Sequence, residues 1–443
     1  MSLRGAQRRS NLDAAASRSP RRLRGLAMTA LRSATTLLLL ALPAAARAVE
    51  QEVHGVLSLR LLDADTTRSW VDGGLGKLRF DDGDEPLDLG AATVAYQARL
   101  APTLAARAVA SVYADGTGSL LDLDEAYLEW RPVPRSAWKL LARGGAFHAP
   151  LSLENTGVGW TSPYTISYSA VNSWFGEELR TIGADAQLTH VGAASGSPHD
   201  FGLLLGAFRG NDPAGALLSW RGWAIGDRPT RLFERLPLAP LPGFGPTGLF
   251  FVQEPFEEPF HELDGRTGWY GGAQWDYLDR SRLRVQHYDN RGDALIAKDG
   301  QWTWRTEFDH AGWHLRLPSG TEVIAQAVRG ETEMDGFDGP FVYADFGAWF
   351  LLASHAWGKQ RASVRYDDFW VHDRDHVAGD PNQEDGHAWT AAWFLDGGHG
   401  RFGRWRAGVE ALRIRSWRPA RAILGDPVRT TEKSLQLVGE WRF

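Results

Sequence analysis

Residues 433–443 read K-S-L-Q-L-V-G-E-W-R-F. In an extended strand successive side chains point to opposite faces, so Leu435, Leu437, Gly439, Trp441 and Phe443 share one face while Ser434, Gln436, Val438, Glu440 and Arg442 share the other. One face suits lipid and the other suits water. That pattern, ending on an aromatic carboxylate, is the point from which the rest of the 443-residue chain is read.

At the other end, Arg32 precedes an apolar run over 34–42, and Ala46-Arg47-Ala48 is a small-residue cleavage site. Residues 1–48 therefore read as an export segment, with Met1 and Met28 both open as the start. Nine of the 48 Lys and Arg and one of the 54 Asp and Glu lie in that segment, so the exported chain carries a net charge of −14 (39 − 53). Such acidity argues against a nucleic-acid partner. With no cysteine, an exported protein must be held without disulfides, and a closed ladder of strands with no free edge does that. Beyond residue 48 no stretch approaches the roughly 20 apolar residues of a membrane-spanning helix, whereas strands of about 10 residues suffice. A mean hydropathy of −0.31 fits a wall whose residues alternate between lipid and water.

The alternation predicts about sixteen strands: 53–62, 91–100, 104–113, 121–131, 138–147, 181–191, 201–209, 268–277, 282–289, 302–311, 321–329, 342–355, 361–370, 387–396, 404–415 and 433–443. Segments 70–80 and 215–224 are candidates for a further pair. The odd connections, beginning at Asp63, Ala114, His148, Gly210, Asn290, Gly330, Val371 and Ser416, are mostly long, and the even ones are mostly short. Long external loops alternating with short internal turns, both termini on one side, is the pattern of an even-stranded transmembrane barrel. The fold class read from the sequence is thus all-β, one antiparallel transmembrane β-barrel over 49–443, localised to a bacterial outer membrane.

Outward positions read Trp302, Trp304 and Phe308; Trp405, Ala407, Val409 and Ala411; Trp269, Ala273, Trp275 and Tyr277. Twenty Trp in one exported chain read as aromatic girdles at the two headgroup levels. Inward positions supply candidate pore-lining charges: Arg60, Arg99, Arg107, Glu125, Glu129, Lys139, Arg143, Arg284, Arg305, Glu307, Asp309, Arg365, Asp367, Arg404, Arg406, Glu410, Glu440 and Arg442. A dry core would not hold so many charges unpaired, so the interior is expected to be a water-filled channel. The connection 148–180 is too long and too aromatic for a plain linker. Folded inward as a constriction it would bring Glu154, Trp160, Tyr164, Tyr168, Trp174, Glu177, Glu178 and Arg180 into the lumen; packing over the mouth or against a neighbouring subunit is the alternative. The connection 210–264 holds Pro237, Pro240, Pro242, Pro246, Pro255 and Pro259 and reads as a long external loop, since no central strand tolerates that many prolines.

The amphipathic strand ending on Phe443 resembles the closing strand and assembly signal of bacterial outer-membrane β-barrels. D-E-A-Y-L-E-W (124–130) and R-G-G-A-F-H-A-P-L-S-L-E-N (143–155) resemble a strand pair and loop entry of the phosphate-selective porin family. That resemblance implies a trimeric sixteen-stranded barrel for passive diffusion, outer-membrane lipid and lipopolysaccharide as surroundings, the barrel-assembly machinery as reader of Phe443, and anion-binding Arg and Lys in the lumen. No cofactor is implied. The chain departs from the family in being acidic, with only Lys77, Lys139, Lys298, Lys359 and Lys433, so phosphate, organic anions, neutral sugars and peptides all stay open as solutes.

Two rival classes stand beside a porin. A barrel hydrolase needs an activated Ser or an Asp/His pair. No G-x-S-x-G occurs, and the one crowded group, His372, Asp373, Asp375 and His376, falls on an external loop. The G-F-G-P-T-G at 243–248 lies among prolines with no following helix, so it is no dinucleotide site. An adhesin or structural barrel would share the architecture and differ in not conducting.

Overall fold

Sixteen strands alternate along the chain because apolar and polar residues alternate along it, and each pairs antiparallel with the next. The computed structural model describes residues 50–84, 86–117, 119–336, 339–401 and 403–443; the expected export segment and both candidate start methionines lie outside them. The strands are β1 (Gln51–Asp65), β2 (Leu87–Ala101), β3 (Leu104–Val112), β4 (Leu121–Trp130), β5 (Trp138–Phe147), β6 (Thr181–His190), β7 (His199–Arg209) and β8 (Gly268–Tyr277). They continue as β9 (Ser281–Asp289), β10 (Arg305–Arg316), β11 (Thr321–Gly336), β12 (Gly339–Trp357), β13 (Gln360–Asp373), β14 (Glu384–Gly400), β15 (Gly403–Trp417) and β16 (Arg429–Arg442). The sheet is a closed barrel, β1 meeting β16 from Val56↔Arg442 to Asp65↔Lys433. The last residue joins this seam: Gly55 N–H donates to the Phe443 carbonyl at 2.9 Å and Phe443 N–H to that of Gly55 at 3.1 Å.

The two faces of β16 separate as the alternation requires. Leu435, Leu437, Trp441 and Phe443 are exposed, while Ser434, Gln436 and Val438 are buried inside. Exposed Trp130, Trp138, Trp313, Trp357, Trp393, Trp405 and Trp441 stand near the ends that meet the short turns, forming an aromatic girdle. Not every Trp belongs to it. Trp70, Trp174, Trp220, Trp223 and Trp304 are wholly buried.

Several expectations are corrected. On β10, Thr306, Phe308 and His310 are buried, so Arg305, Glu307 and Asp309 point outward and do not line the lumen. Trp302, Trp304 and Phe308, expected outward, are buried too. The reason is that the lumen beside β10 is filled: Phe308 packs against Trp174 and Phe175 of an inward loop. Segments 70–80 and 215–224 add no barrel strands; they contain a 3-10 turn, Trp70–Asp72, and a short helix, Ala216–Trp220. The sixth external connection, expected to run from Gly330, is shorter, because β11 and β12 pair on to Gly336↔Gly339 with one shift of register between Met334 and Asp335. Among the described residues no helix is long and apolar enough to cross a membrane, which says nothing of strands.

The seam gives a test. A side chain on Gly55 would run into the Phe443 ring, whereas one on Gly439, on the neighbouring strand, would meet nothing within 4 Å. Gly55→Val is expected to push the Phe443 ring aside and destabilise closure by about 1 kcal/mol, and Gly439→Val to leave it unchanged. The measurement is the temperature at which the folded band on a semi-native gel converts to the unfolded one; equal shifts for both variants would refute the account.

Candidate functional site

The third loop, 148–180, enters the barrel because its backbone and polar groups find partners on the wall. Its helix α1, Ala170–Glu178, starts at Ser169, whose side chain accepts from Asn172 N–H at 3.1 Å. Asp367 on β13 accepts from Ala170 N–H at 3.0 Å, a carboxylate at the positive end of a helix. Arg365, two residues earlier, is the centre of the anchoring. It donates to Asp367 and Glu154, both at 2.8 Å, and to the carbonyls of Ser167 at 2.7 Å and Tyr168 at 2.8 Å. Glu410 on β15 accepts from the N–H groups of Ile166 (2.6 Å) and Ser167 (3.0 Å). Arg406 donates to the carbonyl of Pro163 at 2.7 Å, and Tyr164 to Glu322 at 2.9 Å. Past the helix start, Trp174 meets Phe308 and Phe346 edge to face at 5.1 and 5.0 Å. Polar ends fix the loop and aromatic rings fill the space it crosses.

The fourth loop, 210–267, lies over it rather than out in solvent. Helix α2, Ala216–Trp220, is buried, and Glu178 accepts from Leu217 N–H at 2.8 Å and from the Trp174 indole at 2.5 Å. Glu257 from the fourth loop is buried beside Glu178, near Glu177 and Arg221, which pair with each other. Burial, with the Glu178 carboxylate beside it, pushes the Glu257 carboxyl well above the ordinary range, so Glu257 keeps its proton. A second network joins the first, second and fourth loops to the wall. Asp115 takes Arg228 at 2.7 Å and Arg79 at 3.0 Å; Asp227 takes Arg79 at 3.2 Å and also pairs with Arg60 of β1; Glu234 takes Arg228 and Arg231, both at 2.9 Å. Burial opposes ionisation of Asp115, yet Arg228 and Arg79 hold its carboxyl well below the usual carboxylate range. Lys77 of the first loop pairs with Glu384 of β14. Burial lowers the Lys77 amine to about 7 in spite of that partner.

The expected lining residues thus divide. Arg60, Arg365, Asp367, Arg406 and Glu410 face inward and hold loops. Arg143 faces inward on Asp185 at 2.6 Å, Glu125 accepts from His148 N–H at 2.9 Å, and Arg284 donates to Gln274 at 2.7 Å. Arg107 donates to the Tyr127 hydroxyl at 3.2 Å. Toward the short-turn end, Arg99 pairs with Glu50, Glu129 with Arg131, and Glu440 with Arg442, while Lys139 and Arg404 are exposed. Of the loop residues, Glu154, Tyr164, Tyr168, Trp174, Glu177, Glu178 and Arg180 are buried, and Trp160 stacks on His148 at 3.9 Å. One interior space of about 20 Å³, room for a single water, lies among Ser58, Arg60, Tyr168 and Asp227. At this level the space expected to be a water-filled channel is occupied by the third and fourth loops. The residues that sequence reasoning passed over are Lys77, Arg79, Asp115, Asp227, Arg228, Arg231, Glu234 and Glu384; the spacing R-x-x-R-x-x-E at 228–234 was their one visible signal. In the His372–His376 group Asp373 and Asp375 accept backbone N–H groups of His376, Tyr343 and Val377, and His376 Nδ1 lies 3.9 Å from Asp373 Oδ1.

Two outcomes follow. Arg365→Ala leaves Glu154 and Asp367 buried without their cation, costing about 3–5 kcal/mol, and should expose the third loop to protease within a barrel that still runs as folded. Adding Glu154→Gln and Asp367→Asn should recover part of the protection; cleavage no faster than in the parent would contradict the anchoring role. For pH, a carboxyl whose value is raised in the seated state contributes stability in full below the ordinary carboxylate range and loses it as pH rises through the raised value. Cleavage of the fourth loop should accordingly quicken from acid toward alkaline pH, and Glu257→Gln should flatten that rise.

No protein-family model matches the chain, and no curated protein matches it in sequence. In fold it is similar to the outer membrane channel DcaP of Acinetobacter baumannii, with a TM-score of 0.51 and 9% identity over 89% of this chain and 98% of that one. OmpT, an outer membrane protein of Vibrio cholerae, aligns with a TM-score of 0.49 and 9% identity over 90% of this chain and 100% of that one. OmpF of Salmonella typhi aligns with a TM-score of 0.45 and 8% identity over 89% and 97%. The architecture, a closed antiparallel barrel of sixteen strands with an apolar outer band, is that of an outer-membrane β-barrel.

Proposed function

We propose that this protein is an outer-membrane porin for small hydrophilic solutes, working by passive diffusion. The observation that carries this reading is chemical. Inside a barrel whose outer face is apolar, the wall presents Arg60, Arg365, Asp367, Arg406 and Glu410 to loops that are held by polar contacts, where a purely structural core would be apolar. Such a lining is soluble in water once the loops shift, and rows of Arg and carboxylate then set the field that a passing ion feels. The 148–180 loop is the constriction in this reading, and the 210–264 segment its second, outer layer. The solute stays at the level of class: phosphate, small organic anions or other small nutrients. Assembly as a homotrimer, recognition of Phe443 by the barrel-assembly machinery and contact with lipopolysaccharide belong to the same reading. Diffusion requires no covalent chemistry.

A second reading, a barrel that does not conduct and serves as an adhesin or structural element, is favoured by the burial of the 148–180 loop inside the barrel. Planar-bilayer recording of the refolded chain separates the two. The porin reading expects brief or small ohmic openings in the parent and larger, longer ones in Arg365→Ala, with a reversal potential under a salt gradient that gives the sign of selectivity. Silence from both, with the barrel folded, would favour the non-conducting reading.

A further inference from the structure

The packing inside the barrel is of two kinds. The inward face of β12 is apolar, with Val342, Ala344, Phe346, Ala348, Phe350 and Leu352 all buried, and Trp174 of the third loop lies against it. β1 and β16 instead turn Ser58, Arg60, Ser434 and Gln436 inward, all buried. Two small spaces lie one above the other along this wall. The lower, of about 20 Å³, is lined by Ser58, Thr93, Ser162, Thr165 and Tyr168 and reaches down to Glu440 near the short-turn end. The upper, of about 10 Å³, is lined by Ser167, Ser434 and Gln436, with Leu78 and Phe80 of the first loop as apolar neighbours. β1 contributes Val56 and Ser58 to the lower space and Leu62 and Ala64 to the upper one. Asp227 of the fourth loop borders both, and between them it pairs with Arg60. Ser58 Oγ, Arg60 Nε and Ser434 Oγ meet no protein partner among the described residues. Buried polar atoms in folded proteins are hydrogen-bonded, by water where the chain offers nothing, so this wall can carry water where the β12 wall cannot.

We infer that the solute path follows the β16–β1–β2 wall and that the Arg60–Asp227 pair is its gate, an inference that rests on the porin reading above. The pair is built to part. Arg60 belongs to the barrel ladder and stays, whereas Asp227 rides on a loop and can leave. Each cation keeps a partner when it does: Arg60 donates to Gln436 at 3.3 Å, and Arg79, 3.2 Å from Asp227, lies 3.0 Å from Asp115. The movement reaches the third loop as well, because Tyr168 N–H donates to the Gly226 carbonyl at 2.8 Å and Tyr168 lines the lower space. Withdrawing the 225–228 segment thus joins the two spaces and widens the lower one in a single step. Gln286 of β9 borders another space of about 10 Å³, but no ion pair lies across it among the described residues, so that wall lacks such a latch.

The chain has no cysteine, so single introduced thiols report cleanly. Ser58→Cys, Ser434→Cys, Gln286→Cys and Ala348→Cys, all at buried inward positions, are treated in the refolded full chain with a charged, membrane-impermeant methanethiosulfonate. The expected result is modification of Ser58→Cys at least tenfold faster than of Gln286→Cys or Ala348→Cys. Ser434→Cys should speed up at least tenfold when Arg60→Gln and Asp227→Asn together remove both halves of the gate. Equal rates at all four positions, no reaction at any, or a fastest reaction at Gln286→Cys or Ala348→Cys would overturn the inference. So would a Ser434→Cys rate unmoved by the double substitution in a barrel that still runs as folded; if that variant does not fold, the comparison of Ser58→Cys with the other walls decides alone. Conductance is recorded on the same preparations. Current blocked by the reagent at Gln286→Cys and not at Ser58→Cys keeps the porin reading and fails the path, whereas a silent barrel whose Ser58→Cys still reacts fails the porin reading alone.

Discussion

A polypeptide in hydrocarbon has to satisfy every backbone N–H and C=O from within, and each one left open costs several kcal/mol. Everything else in this structure depends on how that constraint is met: the first strand and the last pair along ten residues, and the terminal Phe443 adds two more backbone bonds to Gly55. A sheet with one open edge would have been unsuitable for lipid and prone to pair with other chains. Closure also fixes inside and outside for all sixteen strands at once, since side chains alternate without a break except at bulges such as those at Ser58/Leu59 and Val109/Ala110.

Closure creates a large enclosed volume, and the chain fills it with loops rather than leaving it to water. The solution is electrostatic at the edges and apolar in the middle. Arg365, Glu154, Asp367 and Glu410 are fully buried yet saturated with partners, which is the condition under which buried charge is tolerated. Between them Trp174, Phe175, Phe308 and Phe346 pack ring against ring. Such a plug has discrete holding points. Losing one releases a segment of backbone rather than a single side chain, which is what a gate needs.

Much of the fold was legible because a period of two is hard to hide. The closing strand, the strand count, the parity of connections and the aromatic third loop all follow from local pattern. What was illegible has one cause, the partly filled lumen. In an empty barrel apolar means outward, and residues 302–311 were read by that rule; with Trp174 and Phe175 inside, Phe308 belongs inward and its charged neighbours are turned out. Likewise Arg228 and Arg231 sit in a Pro-rich segment that reads as solvated, and their partners near Asp115 and Thr117 lie over a hundred residues away. The acidic run at 331–335 reads as loop, yet pairs across to β12 all the way to the turn.

The partners of the third loop come late in the chain. Glu154 meets Arg365 across 211 residues, and Ile166 meets Glu410 across 244. The loop therefore has nothing to seat against until β13 and β15 are in place, long after its own flanking strands β5 and β6 have been made. Seating of the loop is thus tied to strands made long after it, as closure is tied to the last strand of all, and both wait on contacts distant in sequence. Until β13 and β15 are made, the loop and the wall it will rest on are both without their partners, so the bare lumen belongs to the protein's biogenesis.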